Sequence, residues 1–516
     1  MTDKTFAAID IGTNSFHLVI ASINSKGQLK ELTREREVVR LGSSSDDMKY
    51  ISDEAMVRGV SALKRFKLIC DSYETEIRAI GTSAVREALN KGDFIKSVFE
   101  NTGINIDVVT GTEEARLIYL GVLQAIEVFN SKILLIDIGG GSTEFLVGEE
   151  GKVLYANSIK LGAVRLTNKF FKDKKLKTEI INDARIYARN LVYPVVRNLK
   201  HYDYDIVIGT SGTITTIGAI IYAEKNEYDS EQVILNKYTF DEDSLYKAVK
   251  KILKAETETE RAKIPGLDYK RADIIPAGAI ILEQIFIELG IKKITLSNYA
   301  LREGILIDTI SKEQTGFQLG NLSDICYKSI ITLAENCNYD KIHSEQVLKL
   351  SVTIFDYLKI KFHLSEKDKE SLEAAALLHD IGHSISHSQH HRHSYYLIRN
   401  SEMLGFNENE IEIIANIARY HRKSHPKLKH EEYNKLSKDD KDKIKKLAGI
   451  LRIADGLDRG HKSVIKDIEI TSIGKNLSLL LKTEPGSDVS LEIWGANLRK
   501  KLFEEAFETE ITIQNQ

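Results

Sequence analysis

Cysteine is scarce in this chain. Three occur among 516 residues, Cys70, Cys326 and Cys337. They form neither a CxxC pair nor an even set, so no disulfide framework is expected, and the thiols suit a reducing compartment. Proline is also rare, at five. With no low-complexity stretch present, disorder is expected only at termini and loop tips. Long apolar runs are missing; a transmembrane helix needs about 18 or more such residues in a row. Met1 leads straight into apolar residues 6–11 with no basic leader, so no signal peptide is expected, and a cytoplasmic location follows by elimination. Charge of one sign is lacking too. The 72 Lys and Arg against 75 Asp and Glu leave a net charge of -3. No whole-molecule basic field exists for nucleic acid. Neither nucleic acid nor a membrane is therefore an expected partner. An anionic ligand has to be held by local basic groups or by backbone N–H groups.

What is present is an ordinary globular composition, 42% apolar and 28% charged. At roughly 100–200 residues per domain, the length suggests about three or four domains. Residues 5–11 and 17–23 read as strands joined by a Gly-Thr-Asn-Ser turn, and 29–40 as a third, heavily charged strand. Apolar residues at helical spacing mark 53–73 and 113–129. The pattern then restarts: 133–138 is a continuous apolar strand followed by a glycine turn, 143–148 and 152–159. Each half opens with strand–Asp–x–Gly–turn–strand, at Asp10–Gly12 and at Asp137–Gly139. This internal duplication is an architectural signal. Beyond residue 315 the character becomes mostly helical, then alternating over 466–481, with strand–helix–strand expected over 489–516. The expected domains are 1–130, 131–312, 313–465 and 466–516.

Five segments carry candidate chemistry. In the first, Asp10, Gly12, Thr13, Asn14 and Ser15 form a hairpin whose N–H groups and hydroxyls suit a phosphate, with Asp10 able to orient a metal-bound water; a plain β-turn is the alternative. In the second, Asp137, Gly139, Gly140, Gly141, Ser142 and Glu144 repeat it. Three successive glycines cost backbone entropy and favour a close ligand. Third, Ser211, Gly212 and Thr213 follow a strand at a helix N-terminus, an anion site or a simple cap. Fourth, Glu114 opens a helix, as a general base or as an acidic turn favoured by the helix dipole. Fifth, Arg86 lies one turn into a helix, as a phosphate clamp or a surface arginine. Spacing alone favours the plainer alternative for Glu114 and Arg86.

The segments AIDIGTNSFHLVI, IGTSAVREALN, GTEEARLIYLGV, LLIDIGGGSTEFLVG, LGAVRLT, GTSGTI and SNYALREGIL occur in this order across residues 5–310. Together they resemble the exopolyphosphatase/guanosine pentaphosphate phosphatase family. The resemblance implies an α/β fold: a duplicated, two-lobed actin-like ATPase fold of the sugar kinase/actin superfamily. It also implies a mostly helical HD-like domain and a small α+β C-terminal segment. It implies Glu114 as catalytic base and Arg86 as a phosphate-binding arginine. Asp137, Gly139, Gly140 and Ser142 fall on the second phosphate loop. Asp137 and Glu144 fall on positions linked to Mg²⁺ or to the attacking water. The expected activity is Mg²⁺-assisted hydrolysis of the terminal phosphate of inorganic polyphosphate. Guanosine pentaphosphate, the stringent-response nucleotide, is the alternative substrate. A homodimer is implied as well. A regulatory nucleotide-binding protein with a degenerate site is a competing class, which intact Glu114, Asp137 and glycine loops argue against.

Residues 372–383 hold a His379-Asp380 pair on an apolar helix, similar to the HD metal-dependent phosphohydrolase module. His343, His393, His421 and Asp455 are the further candidates for its divalent metal. A second metal, and principal chemistry on a nucleotide there, are thus one expectation; a helical scaffold is the other. The basic groups at 390–393 and 419–423 read as patches for a polyanion.

Overall fold

The computed structural model describes residues 4–23, 29–43, 48–172, 176–225, 235–313, 323–401, 403, 405–473, 476–483 and 486–515. The boundary expected near residue 315 lies outside them. The chain forms two compact units, Met1–Ser323 and Asp324–Gln516.

The first unit contains two sheets of matching design. Strands β1 (Lys4–Ile11), β2 (Ser15–Ile23), β3 (Leu29–Val38), β4 (Glu76–Gly81) and β5 (Ile106–Val108) make the first, in the order β3-β2-β1-β4-β5. The hairpin β1–β2 and its continuation β3 are antiparallel, whereas β4 and β5 run parallel to β1. Strands β6 (Ile133–Ile138), β7 (Thr143–Glu149), β8 (Lys152–Ile159), β9 (Ile206–Thr210), β10 (Thr239–Asp241) and β11 (Lys293–Leu296) make the second, in the order β10-β11-β9-β6-β7-β8. Here too an antiparallel triplet begins the half; β9 and β11 then run parallel to β6, and β10 adds antiparallel at the edge. This is the internal duplication expected from the two Asp–x–Gly turns, and it agrees with the two-lobed actin-like fold that the resemblance implies. β6 is buried along its whole length, as its continuous apolar run requires.

The helix Gly111–Ala125 is capped by Thr110, whose hydroxyl accepts from the Glu113 N–H, and Glu113, Glu114 and Arg116 on it are all buried. Arg116 donates to Glu113 and Asp308, and Asp308 also pairs with Arg78. The charged network locks this helix to Leu301–Glu313. A Cβ on Gly304 would overlap the Leu117 carbonyl, so glycine lets the two helices touch through their backbones.

The second unit packs its helices on one apolar core, among them Lys341–Leu358, Glu366–Leu378, Glu408–Arg419 and Lys438–Gly456. Strands β12 (Ile465–Ile473) and β13 (Asn476–Thr483) form a hairpin, and β14 (Glu510–Asn515) adds parallel to β13. The segment after residue 489 departs from the expected strand–helix–strand. Ser490–Arg499 and Lys501–Phe507 are helices. The Val-x-Leu-x-Ile alternation at 489–493 suggested a strand. A parallel β14 instead needs a crossover, which these helices supply. No helix among the described residues is long and apolar enough to cross a membrane.

Candidate active site

Antiparallel register decides which side chains share a face. Asp10 stands opposite His17 across β1–β2, and Asp137 stands opposite Glu144 across β6–β7. Opposed residues project to the same side of a sheet. The two hairpin turns then meet. A Cβ on Gly141 would lie 2.5 Å from Ser83 Oγ and 2.8 Å from Thr13 Oγ1. Bare backbone at Gly140 and Gly141 is therefore what allows the second turn to reach the first. The Gly140 carbonyl accepts from the Val164 and Arg165 N–H groups, and the Gly141 carbonyl accepts from Arg165 Nε at 2.8 Å.

Between the turns lies a cavity of about 760 Å³. Of the candidates from sequence, it is lined by Asp10, Gly12, Thr13, Asn14, Ser15, Glu114, Asp137, Gly139, Gly140, Gly141, Ser142, Ser211 and Gly212. Arg86, Glu144 and Thr213 stand behind this lining. Arg86 Nη1 donates to Glu114 Oε2 and to the Val109 carbonyl, each at 2.9 Å. Glu144 Oε1 accepts from Ser158 Oγ at 2.8 Å, while its Oε2 is buried with no hydrogen-bond partner among the described residues. Thr213 is buried against Gly278, in the core rather than the cavity. Ser211 adopts φ 68° and donates its hydroxyl to Asp137 Oδ2 at 2.5 Å. A non-glycine residue in that region costs about 1–3 kcal/mol and such strain clusters at functional sites.

Four carboxylates converge here, and burial raises the pKa of each. Asp10 is pushed up to about 8 by burial, with Glu114 adding to it. Asp137 is pushed up to about 7 by burial, with the Ser211 hydrogen bond opposing. Burial and the charges of Glu114 and Asp137 lift Glu144 well above the usual carboxylate range. Burial also raises Glu114, against the pull of Arg86. An orphaned carboxylate oxygen among crowded carboxylates fits a hard divalent cation, whose charge would relieve the repulsion.

Arginines that sequence reasoning assigned no role line the same cavity: Arg34, Arg36, Arg271 and Arg302. Arg271 lies against Gly212, and burial, aided by Arg36, lowers its pKa to about 10. His17 sits 3.3 Å from Arg302 through Nδ1, and burial holds its pKa well below the ordinary value. Arg165 and Glu87 also pair, at 2.7 Å, behind the second turn. Arg165 and Arg302 lie in segments that carry the resemblance; nothing local marks Arg34, Arg36 or Arg271.

Residues 19–313 match the Ppx/GppA phosphatase family, and residues 325–500 match domain III of Ppx/GppA phosphatases. The chain belongs to the Ppx/GppA phosphatase family. Among solved structures it is similar to an exopolyphosphatase from Cytophaga hutchinsonii, with 29% identity and a TM-score of 0.56 over 61% of this chain and 100% of the other. It is also similar to a Ppx/GppA family member from Aquifex aeolicus, with 26% identity and a TM-score of 0.52 over 61% of this chain and 99% of that one. Membership makes the chain a phosphatase of the hydrolase class.

The second unit gathers its own polar cluster. His343, His379 and Asp380 form one group of ligand atoms within 4.8 Å of one another, and Asp380, His390 and His421 form another. His343 Nδ1 donates to Asp458 Oδ2 at 2.8 Å, and His379 and His421 donate through Nδ1 to the Ala376 and Ala418 carbonyls. Each Nε2 lone pair is thereby turned inward. Nε2 of His343 and of His379 is buried with no hydrogen-bond partner among the described residues. Asp455 Oδ1 lies 3.7 Å from His343 Nε2, and its other oxygen pairs with Arg499. Burial works against charge on Asp380, yet His379, His390 and His421 hold its carboxyl well below the usual range. The sequence candidates His343, His379, Asp380, His421 and Asp455 are therefore together, while His393 lies outside these groups and His390 stands inside. The expected basic surface patches change character for the same reason: His390, His391 and His421 are buried.

Proposed function

We propose that the first unit is an exopolyphosphatase centre, releasing the terminal phosphate of inorganic polyphosphate with Glu114 as general base. The carrying observation is a buried carboxylate on the cavity wall between two facing glycine turns, held by Arg86. A base needs an elevated pKa and a fixed direction. Burial supplies the first and the 2.9 Å bond to Arg86 supplies the second.

Phosphoryl transfer demands positioning and charge neutralisation more than covalent chemistry. N–H groups of the turns at Gly12–Ser15 and Gly140–Ser142 cradle the terminal phosphate, helped by Thr13 and Ser142. Glu114 takes a proton from the water that attacks phosphorus. The bridging P–O bond breaks, and the shortened chain leaves with the electron pair. Asp10, Asp137 and Glu144 would hold Mg²⁺, which when bound neutralises charge on the phosphate oxygens. Arg34, Arg36, Arg271 and Arg302 line the rest of the cavity, where guanidinium groups shared with Glu31, Asp268 and Glu303 offer donors to an extended polyanion.

The test is phosphate release from long-chain polyphosphate and from guanosine pentaphosphate in parallel, with Mg²⁺, by the intact chain and by Glu114→Gln. Degradation of the polymer that is lost in the variant supports the reading. Cleavage of the nucleotide alone transfers the same site to the alternative substrate. Activity retained in Glu114→Gln removes Glu114 as base.

A second reading concerns the second unit. We infer that His343, His379, Asp380, His421 and Asp455 hold a divalent metal, because the inward Nε2 atoms of His343 and His379 have no partner. Removing this metal leaves phosphate release by the first unit unchanged. Loss of polyphosphate hydrolysis in His379→Ala, with Glu114→Gln active, would move the principal chemistry to this centre.

A further inference from the structure

A third group of imidazoles lies at the edge of this second cluster. His383, His387 and His390 bring one ring nitrogen each to within 4.8 Å of the others. The spacing His-x3-His-x2-His is short enough for one turn to deliver all three rings. The turn is anchored at both ends. The Gly382 N–H donates to Ser394 Oγ at 2.9 Å, and Ser394 Oγ donates to the His379 carbonyl at 2.6 Å. A Cβ on Gly382 would overlap the His390 carbonyl, so glycine lets the helix His390–Arg399 fold back on Ile381–Ser384. The rings of His383 and His390 lie with centres 3.8 Å apart, tilted by 33°, and Nδ1 of His383 and Nδ1 of His387 are 3.2 Å apart.

We propose that these three imidazoles form an outer transition-metal site. It borders the inner cluster and shares His390 with that cluster's Asp380–His390–His421 group, while His383 and His387 belong to it alone. Several observations carry it. Two Nδ1 atoms at hydrogen-bond distance need one proton between them, whereas a cation accepts both lone pairs. An all-imidazole donor set suits Zn²⁺, Co²⁺, Ni²⁺ or Cu²⁺ and not Mg²⁺. His383 and His387 are exposed while His390 is 2% exposed, so the site is rooted in the protein and open to solvent. Three protein ligands and an open face are the arrangement of zinc sites that keep a position for water or a substrate oxygen. His390 links this site to its neighbour: Nδ1 faces the His387 carbonyl at 3.2 Å, and Nε2 faces Asp380 Oδ1 at 3.1 Å. Arg422 Nη1, 3.1 Å from His390 Nε2, sets a cation beside the pair. The ligand class that matches is a transition-metal ion carrying water or a phosphate oxygen.

The test is titration of the metal-stripped full chain with Co²⁺, under saturating Mg²⁺, following the d–d absorption. It is run on wild type, His387→Ala, His387→Gln and His343→Ala. The expected result is that both His387 variants bind one Co²⁺ fewer than wild type and release phosphate from polyphosphate at the wild-type rate. Binding by both His387 variants equal to wild type, in number and affinity, overturns the outer site. Loss of one ion in His343→Ala but not in the His387 variants also overturns it and leaves the inner reading standing. Loss in the His387 variants but not in His343→Ala establishes the outer site and removes the inner one.

Discussion

Replacing Glu114 with glutamine removes one charge and keeps the shape of the side chain. The carboxylate is 8% exposed and accepts from Arg86 Nη1 at 2.9 Å. A positioned general base contributes about 10²–10⁴ in rate, which corresponds to about 2.7–5.4 kcal/mol of barrier. Breaking a buried ion pair costs about 3–5 kcal/mol when the partner is stranded. Arg86 is not stranded: it keeps the Val109 carbonyl and the nearby charges of Glu144 and Glu87. The variant is therefore expected to stay folded and to lose kcat by orders of magnitude with little change in KM. Arg86→Met supplies the complementary readout. Arg86 pulls the Glu114 pKa down against the lift of burial. Without it the acidic limb of the pH–rate profile moves to higher pH, because the rate needs the deprotonated form. The assay is steady-state phosphate release across pH, with urea unfolding as the stability control. A Glu114→Gln kcat within about tenfold of wild type, below the range expected of a general base, refutes the reasoning. So does an acidic limb that moves down in Arg86→Met.

Other consequences can be measured separately. Asp10 holds its proton up to about pH 8 in the folded state against 3.8 ordinarily. The folded state thus binds the extra proton between these values, so this contribution is full below 3.8 and is lost as pH rises to 8. Without divalent cation, wild type loses stability relative to Asp10→Asn over that window, and Mg²⁺ reverses the loss; parallel Tm curves for the two proteins would contradict this. Ser211→Gly relieves the positive φ and Ser211→Ala does not, so the glycine variant is more stable by about 1 kcal/mol. Both lose the bond to Asp137 and fall equally in phosphate release, and equal stability of the two would remove the strain. Gly162→Ala would drive a Cβ into the backbone of Gly140 and Gly141. It costs about 1–3 kcal/mol and lowers kcat by opening the second turn, read by denaturation and phosphate release.

Much of the first unit is legible along the chain. The paired Asp–x–Gly turns announce two similar halves because each hairpin is built from neighbouring residues. Sheet order and register bear this out, with an antiparallel triplet beginning each half. The short alternation at 489–493 misled because five residues do not separate a strand from the start of a helix; the need to cross over to a parallel strand decided for helix. The helix Thr178–Leu199 carries its buried residues Ile181, Ala184, Ala188, Val192, Val195 and Leu199 at three- and four-residue spacing, a signal present in the sequence, against which Pro194 argues for an interruption.

The sequence by itself determined the strands and helices that open each half of the first unit, the two glycine turns and the identity of the chemical groups available, because these depend on spacing within a few residues. Tertiary structure decided which groups meet. Arg86 reaches Glu114 from 28 residues away, and Arg271 reaches Gly212 across the cavity. His390 and not His393 joins Asp380 and His421. In each case the deciding quantity is where packing sets a backbone relative to a distant one, and no local spacing carries that.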